Sequence, residues 1–367
     1  MILKKITKWG LIAANVIVAF ALLFCVIAGF VSPAVFTFPA YFALIFPIIF
    51  LLNLVFVLVW LLLRKWHFLI SLILMLLSFP QLKTNFAFRF KNQPISTSKP
   101  DFTILSYNTH MMGLEKKHDE ENKKINPVIQ YVLSTDADIV CLQEFMVSSK
   151  EKYLTEEDAM KAFKKYPYHH IYFKAHEKRS WLGIATFSKF PIINRQTITY
   201  TSSANASIYS DINIHGKNIR VINNHLESNQ LTEKDKAMPY QLKENFNTDL
   251  ATHITLYFSK KLGAAYKLRA IQADEVNKVV SSSPYPVVVC GDFNDVPSSY
   301  AYTKIRGKLK DSFLEQGKGF GWTFNEKHYR FRIDYIFHDP ALILLNFKRD
   351  KVPYSDHFPL KATFSLF

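Results

Sequence analysis

The first 100 residues contain no aspartate and no glutamate, although they include nine lysines and arginines. The net charge of +15 therefore divides into +9 on this segment and +6 on the rest, which holds 36 basic and 30 acidic residues. Most of the basicity thus belongs to the acid-free segment. The balanced remainder is not basic enough to indicate a nucleic-acid-binding protein on charge alone.

Cysteine is also scarce. The three cysteines, Cys25, Cys141 and Cys290, cannot form the disulfide framework that stabilises small secreted domains. All three lie in apolar stretches, and we interpret them as small buried hydrophobic residues.

Long apolar runs fill the acid-free segment, at about residues 9–31, 38–63 and 66–82. Crossing the hydrocarbon layer takes about 20 apolar residues, so the first two runs are long enough and the third is short. An interfacial or re-entrant segment remains the alternative for the third run. A cleaved signal peptide is not expected, because further apolar runs follow the first. We predict a transmembrane segment over residues 1–83 with about three helices.

Basic residues beside spans tend to stay in the cytoplasm. Three lysines up to Lys8 precede the first run, Arg64 and Lys65 separate the second from the third, and residues 32–39 are uncharged. With three spans, everything after Leu82 lies outside the cytoplasm, whereas two spans would leave it inside. Basic residues soon after Leu82 oppose the first arrangement. We predict an integral protein of a bacterial inner membrane with its large polar part outside.

Residues 84–100 read as a short linker, and residues 101–367 as one domain. Many short strands with few helices between them predict two packed sheets with helices outside. The predicted strands span residues 101–107, 138–142, 181–188, 207–214, 218–223, 287–290, 331–338 and 360–364, with helices at 126–134 and 268–281.

Predicted strands repeatedly end in a polar residue of a type used in catalysis. One such residue is more often a turn former, but six such groups in one domain indicate a shared site. The residues are Asn108, Glu144, His225, Asp292 with Asn294, Asp334, and Asp356 with His357.

These residues stand in Ser-Tyr-Asn108, Leu-Gln-Glu144, Asn-Asn-His225-Leu, Gly-Asp292-Phe-Asn294, Arg-Ile-Asp334-Tyr-Ile and Ser-Asp356-His357. In this order the motifs resemble the endonuclease/exonuclease/phosphatase family, which includes deoxyribonucleases, apurinic endonucleases, neutral sphingomyelinases and inositol-polyphosphate phosphatases. The resemblance covers about residues 102–367. It implies an α/β fold, a four-layer α/β/β/α sandwich with the site at one end of both sheets.

The resemblance implies a divalent metal, Mg²⁺ or Mn²⁺, held mainly by Glu144 with Asn108 and Asp356 beside it. Carboxylate oxygens suit these ions, and no Cys/His cluster has zinc spacing.

The resemblance also implies catalytic roles for five residues. Asp292 would orient or deprotonate the attacking water, while Asn294 and His225 would donate to the phosphoryl oxygens. His357 would contact the phosphate, with Asp334 fixing its tautomer. Apurinic endonucleases usually carry Tyr where this chain has His225, which favours the deoxyribonuclease, sphingomyelinase and phosphatase branches.

The resemblance extends to Arg269 and Gln272, which would support the site residues without contacting the metal or the substrate. A surface helix charge is the alternative for Arg269. We interpret His110, His169 and His170 as surface residues, since no motif includes them.

Residues 228–267 form a long connection for this family. Within it Leu242, Phe246, Leu250, Ile254 and Tyr257/Phe258 recur at helical spacing. A helix that shapes the substrate cleft or touches the bilayer is one interpretation. We favour a helix packed on the sandwich. Trp322 lies in a loop that resembles a family loop near the site, and we expect it to be a structural aromatic.

The sequence thus predicts a membrane-anchored, divalent-metal-dependent phosphoesterase that cleaves a phosphodiester or phosphomonoester by in-line attack of activated water. Its expected partners are a phosphate-ester substrate, phospholipid or nucleic acid, and the lipid bilayer; no protein partner is implied. An extracellular or periplasmic metal-dependent nuclease is the first alternative. A catalytically inactive relative that binds a phosphorylated ligand is the second.

Overall fold

The computed structural model describes residues 2–89, 99–113, 126–149, 154–177, 179–232, 234–235, 237–238, 247–326 and 329–366. The chain forms two compact units. The first comprises Met1–Asn85, Ser228–Ile271 and Val296–Lys304, and the second Phe86–Glu227, Gln272–Asp295 and Ile305–Phe367.

The first unit is helical, with α1 Ile2–Ala28, α2 Phe38–Leu44, α3 Phe46–Leu62, α4 Phe68–Leu77 and α5 Phe79–Asn85. The spans predicted at 38–63 and 66–82 are not straight, since α2 and α3 bend by 79° and α4 and α5 by 59°. Pro47 and Pro80 lie at these breaks, where a proline ring cannot continue the preceding helix. Lys8–Ala28 is long and apolar enough to cross a membrane, and up to three spans result if each bent pair counts as one.

Polar side chains join these apolar helices. The Ser71 hydroxyl of α4 donates to Asn15 Oδ1 of α1 at 2.6 Å. The Gln81 amide of α5 donates to the Val26 carbonyl of α1 at 3.2 Å. Asn15 and Val26 are separated by about 16 Å along a helix. The bent pair α4–α5 therefore lies beside the second half of α1, between Asn15 and Val26.

A long helix, Thr248–Ser281, contributes its first 24 residues to this unit. The Tyr41 hydroxyl donates to the Ser259 carbonyl at 2.5 Å, and the Tyr41 ring meets Tyr266 edge-on at 5.5 Å. A Cβ on Gly263 would overlap the Tyr41 hydroxyl, so glycine permits this close approach. Our favoured interpretation, a helix packed on the sandwich, was therefore wrong for residues 248–271. Leu242 and Phe246 lie outside the described residues.

The second unit contains two six-stranded mixed sheets and a hairpin. Its strands are β1 Phe102–Asn108, β2 Ile139–Ser148, β3 Tyr168–Glu177, β4 Ser180–Ser188, β5 Ile192–Ile198, β6 Ser207–Ile214, β7 Lys217–His225, β8 Val287–Asp292, β9 Lys310–Asp311, β10 Phe324–Glu326, β11 Tyr329–Phe331, β12 Asp334–His338, β13 Leu342–Arg349 and β14 Leu360–Leu366. The sheet orders are β13-β14-β1-β2-β4-β3 and β5-β6-β7-β8-β12-β9, and β10 pairs with β11.

The core lies between the two sheets. Ile104 of β1 packs in one buried cluster with Val221 of β7 and Val288 of β8, whereas the next residue of β1, Leu105, belongs to a cluster on the other face. That outer cluster is completed by α6 (Pro127–Ser134) and α7 (Glu156–Ala162). The predicted sandwich of two sheets with helices is confirmed.

The remaining α-helices of the described part are the 34-residue helix above (α8), α9 Tyr300–Arg306 and α10 Ser312–Gln316.

All three cysteines are buried and free, as predicted.

Gly291 is required by both its backbone and its surroundings. Its φ is +128°, and a Cβ there would lie 2.0 Å from the Asn224 carbonyl oxygen of the neighbouring strand. We expect Gly291→Ala to destabilise the protein by about 3 kcal/mol or more, since the strand pair must separate. Gly216→Ala is the control, because Gly216 also has positive φ but open space around it. If denaturant unfolding showed that both variants lose the same free energy of unfolding, the expected overlap between the Cβ and the Asn224 carbonyl would be contradicted.

Candidate active site

Strand direction places the candidate residues at one rim. β1 runs parallel to β2, and β7 parallel to β8. The carboxyl ends of β1, β7 and β8 carry Asn108, His225 and Asp292. In the β7–β8 ladder His225 is opposite Asp292, and Asp334 at the start of antiparallel β12 is also opposite Asp292.

A β-bulge aims Glu144 at this rim. The pairing of β2 with β4 shifts between Gln143 and Phe145, and Glu144 at the shift has φ +52°. Such bulges re-aim side chains beside active sites. The Asn108 amide donates to Glu144 Oε1 at 3.2 Å and to Asp292 Oδ2 at 2.9 Å. Asn108 therefore links the carboxylates of the two sheets.

Two histidines complete the centre of the cluster. His357 Nδ1 lies 2.9 Å from Asp334 Oδ2, and its Nε2 lies 3.7 Å from Asp292 Oδ2. His225 Nε2 lies 3.8 Å from both Glu144 Oε1 and Asp292 Oδ2. Within the described part of the chain, this buried nitrogen has no hydrogen-bond partner. His225 Nε2 is therefore in a position to bind a group from outside the protein.

Burial and charge separate the protonation states of the site. Burial opposes the charge of His357, but the carboxylates of Asp334 and Asp292 outweigh it and raise the pKa of the imidazole well above its ordinary value. Burial, with the Asp334 charge, raises the pKa of Asp292 to about 6. Burial lowers the pKa of His225. A cationic His357 beside a carboxylate near neutral pH can hold an anionic phosphate and position water.

Asp356 has a partner that sequence reasoning missed. His110 Nδ1 lies 3.2 Å from Asp356 Oδ1, so His110 belongs to the site and our surface interpretation was wrong. Burial disfavours the charged carboxylate, but the His110 hydrogen bond and the charge of His357 lower the pKa of Asp356. Only its position two residues after Asn108 could have indicated this role.

The other predicted residues lie as follows. The Asn294 backbone N–H donates to Asp292 Oδ1 at 2.7 Å, and its amide donates to the Leu226 carbonyl at 3.0 Å. Gln272 Oε1 accepts the Glu227 N–H at 2.7 Å, which holds the chain just beyond His225.

Two surface interpretations were wrong. Arg269 is buried in the first unit and donates to Asn229 Oδ1 at 3.0 Å, so it is not a surface helix charge. His170 is buried against Ser210 at 3.1 Å, and burial lowers its pKa to about 4.

The residues present fit a divalent cation. Burial first, and the neighbouring Asp356 charge in addition, raise the pKa of Glu144. Two close carboxylates of this kind repel one another, and a hard cation relieves that repulsion. Asp292, Asp334 and His357 also bring one ligand atom each within 4.8 Å of one another. Since Asp334 already holds His357 Nδ1, we favour Glu144 and Asp356 as the ion-binding pair.

Most of the chain matches a known protein family. The model described as "Endonuclease/Exonuclease/phosphatase family" matches residues 105–357. The chain belongs to this family. Members of the family are hydrolases that act on phosphoesters, generally with divalent metals. A second model, described as "Domain of unknown function (DUF8431)", matches residues 6–85.

The chain is also similar to solved structures of the same family type. An endonuclease/exonuclease/phosphatase from Beutenbergia cavernae DSM 12333 is 14% identical, with a TM-score of 0.49 over 73% of this chain and 72% of that one. The human Nocturnin catalytic domain with bound sulfate is 17% identical, with a TM-score of 0.49 over 72% and 94%. D. rerio TDP2 complexed with a single-strand DNA product is 15% identical, with a TM-score of 0.44 over 72% and 98%. A comparison with curated protein sequences finds no match.

The pKa of Asp292 predicts an acid limit to activity. We expect kcat/KM on a phosphodiester to fall about tenfold per pH unit below pH 6, because Asp292 then becomes protonated and cannot accept a proton from water. A phosphodiester has no group that titrates in this range, so the decrease of kcat/KM below pH 6 reflects protonation of the enzyme. A limb centred near pH 4, the ordinary carboxyl range, would contradict the assignment of Asp292.

Proposed function

We propose that this protein is a membrane-anchored, divalent-metal-dependent phosphoesterase that hydrolyses a phospholipid or other phosphoester by in-line attack of water. The main support is the convergence of Glu144, Asp292, His225 and His357 at one rim, from both sheets, with distances of 3.7–3.8 Å between the imidazole nitrogens and the carboxylate oxygens.

Each residue has a chemical task in this proposal. Glu144 and Asp356, with Asn108 beside them, would hold a Mg²⁺ or Mn²⁺ ion, which when bound neutralises phosphoryl charge. Asp292 orients the attacking water and takes its proton. His357, kept cationic by Asp334, binds a phosphoryl oxygen.

His225 and Asn294 have a second task. His225 Nε2, which has no hydrogen-bond partner among the described residues, is placed to donate to the phosphoryl group or the leaving oxygen. Asn294 supports Asp292 through its backbone N–H and keeps one amide hydrogen for the substrate. Gln272 fixes the end of β7 on which His225 lies.

The anchor is proposed as three spans over residues 1–83, with a linker at 84–100 and the catalytic domain at 101–367; residues 90–98 of the linker lie outside the described residues. Contacts within the first unit support three spans. The Asn85 amide at the end of α5 donates to Ser298 at 2.7 Å, Gly29 at the end of α1 approaches Thr303, and Tyr41 of α2 binds Ser259.

These three contacts lie at helix ends remote in sequence from Lys8, Arg64 and Lys65. The helix ends that contact residues 228–271 and 296–304 of the first unit thus lie away from Lys8, Arg64 and Lys65, although Lys83 lies beside the Asn85 contact. The positive-inside rule supports a cytoplasmic location for the end with Lys8, Arg64 and Lys65, and we therefore propose that the catalytic domain lies outside the cytoplasm.

The proposal is tested with the full chain in lipid nanodiscs. We expect Mg²⁺-dependent head-group release from phospholipid, lost on chelation and restored by Mg²⁺ or Mn²⁺. Plasmid nicking without phospholipid cleavage would instead indicate a nuclease. Binding of phosphate esters without turnover of any phosphodiester or phosphomonoester would indicate an inactive relative and would overturn the proposal.

A further inference from the structure

An exposed loop, residues 317–322, reads Gly-Lys-Gly-Phe-Gly-Trp. Phe320 and Trp322 are each 39% exposed, and their rings stack 5.7 Å apart with 7° between their planes. Gly319 and Gly321 have φ +71° and +63°, a conformation that favours glycine. Trp322, expected from the sequence to be a structural aromatic, thus packs against Phe320 while part of its ring stays exposed. Two stacked and exposed rings supply apolar surface of the type found at contact sites.

This loop is joined to the chain that follows α5. Ala87 N–H donates to the Gly319 carbonyl at 2.8 Å, and the Phe86 ring meets Phe320 edge-on at 5.0 Å. Phe88, 48% exposed, extends the aromatic surface. Phe86 follows Asn85 directly, so connectivity alone keeps Phe88 within about 11 Å of the end of α5.

Cationic side chains surround the aromatic surface. The Arg330 guanidinium lies 5.6 Å from the Trp322 ring centre. Arg349 donates to the Trp322 carbonyl. Lys318 is exposed in the same loop. Aromatic rings with adjacent Lys and Arg are the composition favoured at a membrane interface, where the rings enter the headgroup layer and the cations meet phosphates.

The loop leads directly into the candidate active site. Thr323 follows Trp322, and its hydroxyl accepts the backbone N–H of Asp334 at 3.0 Å. Phe324 packs edge-on against the His357 ring at 5.1 Å. A lipid headgroup held at Trp322 would therefore lie within a few residues of the phosphate-binding histidine.

We propose that Phe88, Phe320 and Trp322, with Lys318, Arg330 and Arg349, dock on the phosphate headgroup layer of the bilayer that holds α1–α5. The surface lets the enzyme take a phospholipid substrate from its own membrane. This inference rests on the proposed anchor and names the substrate class for the proposed activity. A bilayer is favoured over a protein partner because the surface is tied to the chain leaving α5 and is flanked by cations.

Site-directed fluorescence tests the contact in the full chain. Because the three native thiols are buried, an added cysteine can be labelled selectively with bimane. The probe positions are Trp322→Cys, Leu58→Cys on the exposed face of α3, and Lys217→Cys in an exposed turn at the end of β7 remote from His225. The protein is placed in nanodiscs of phosphatidylcholine and phosphatidylglycerol that contain a nitroxide headgroup lipid.

We expect quenching at Trp322→Cys and Leu58→Cys, and much less at Lys217→Cys. Quenching at Leu58→Cys alone would overturn the docking surface and leave the anchor intact. No quenching at Leu58→Cys would overturn the anchor and the inference together. Equal quenching at all three positions would show that the label is not reporting a specific surface, and would also count against the inference.

Turnover provides an independent test. Partial burial of one large aromatic side chain is worth about a tenfold change in an equilibrium. We therefore expect Phe320→Ser/Trp322→Ser to lower turnover of bilayer phospholipid about tenfold or more, with turnover of a soluble phosphodiester nearly unchanged. Phe320→Trp/Trp322→Phe should retain bilayer turnover. An equal loss on both substrates would indicate damage to the site and contradict docking.

Discussion

Glu144→Gln should lower hydrolysis by about three orders of magnitude or more, since a cation worth several kcal/mol of transition-state stabilisation would lose its main ligand. The amide keeps the size of the side chain and the hydrogen bond from Asn108 at 3.2 Å can rearrange, so the fold should persist. The rate should be measured against Mg²⁺ concentration. Mn²⁺ binding, followed by electron paramagnetic resonance without substrate, should weaken in parallel.

Glu157→Gln is the matched control for this variant. Glu157 is exposed and pairs with Lys161 at 2.8 Å, so its substitution removes the same charge away from the rim. We expect no change in rate or in Mn²⁺ binding. If Glu144→Gln kept more than about a tenth of the activity, or bound Mn²⁺ as the parent does, the metal assignment would be wrong.

His357→Gln should lower the rate about 10²- to 10⁴-fold, the range for loss of a positioned acid, base or phosphate-binding group. Asp334 lies 2.9 Å from Nδ1 and acts through this ring. Asp334→Asn should therefore have little further effect once His357 is replaced. A double-mutant cycle on kcat/KM measures this coupling, with circular dichroism to confirm folding.

His215→Asn is the control for the histidine series. His215 is exposed in the β6–β7 turn with φ +51°, a conformation that asparagine tolerates, so its substitution should be neutral. If the losses from His357→Gln and Asp334→Asn added in full, Asp334 would have a role separate from the ring.

Local signals in the sequence predicted several elements well. Asn126 before Pro127 indicates a helix start, and in the structure its side chain accepts the Val128 N–H at 2.9 Å. The turn at His215-Gly216 predicted the β6–β7 hairpin, which pairs Ile214 with Lys217. The repeated polar residues at strand ends also predicted one shared rim.

Features that depend on neighbouring chains were not predictable. The β-bulge at Glu144 follows from the register of β2 against β4, which no local pattern specifies. His110 acquires its partner only because β1 and the residue before His357 meet in space. The helical spacing up to Phe258 and the helix predicted at 268–281 were treated as separate, whereas the structure joins them in one helix, Thr248–Ser281. β3, β5 and β13, each at the edge of a sheet, were missed as well.

Asn108, Glu144, His225, Asp292 and Asp334 belong to strands held by sheet ladders, and none of the proposed catalytic groups lies in segments 114–125 and 228–247. Changes of length or sequence in these two segments would therefore leave the proposed catalytic groups in place. Recombination confined to the connecting segments could give descendants with new substrates while the hydrolytic machinery is inherited unchanged.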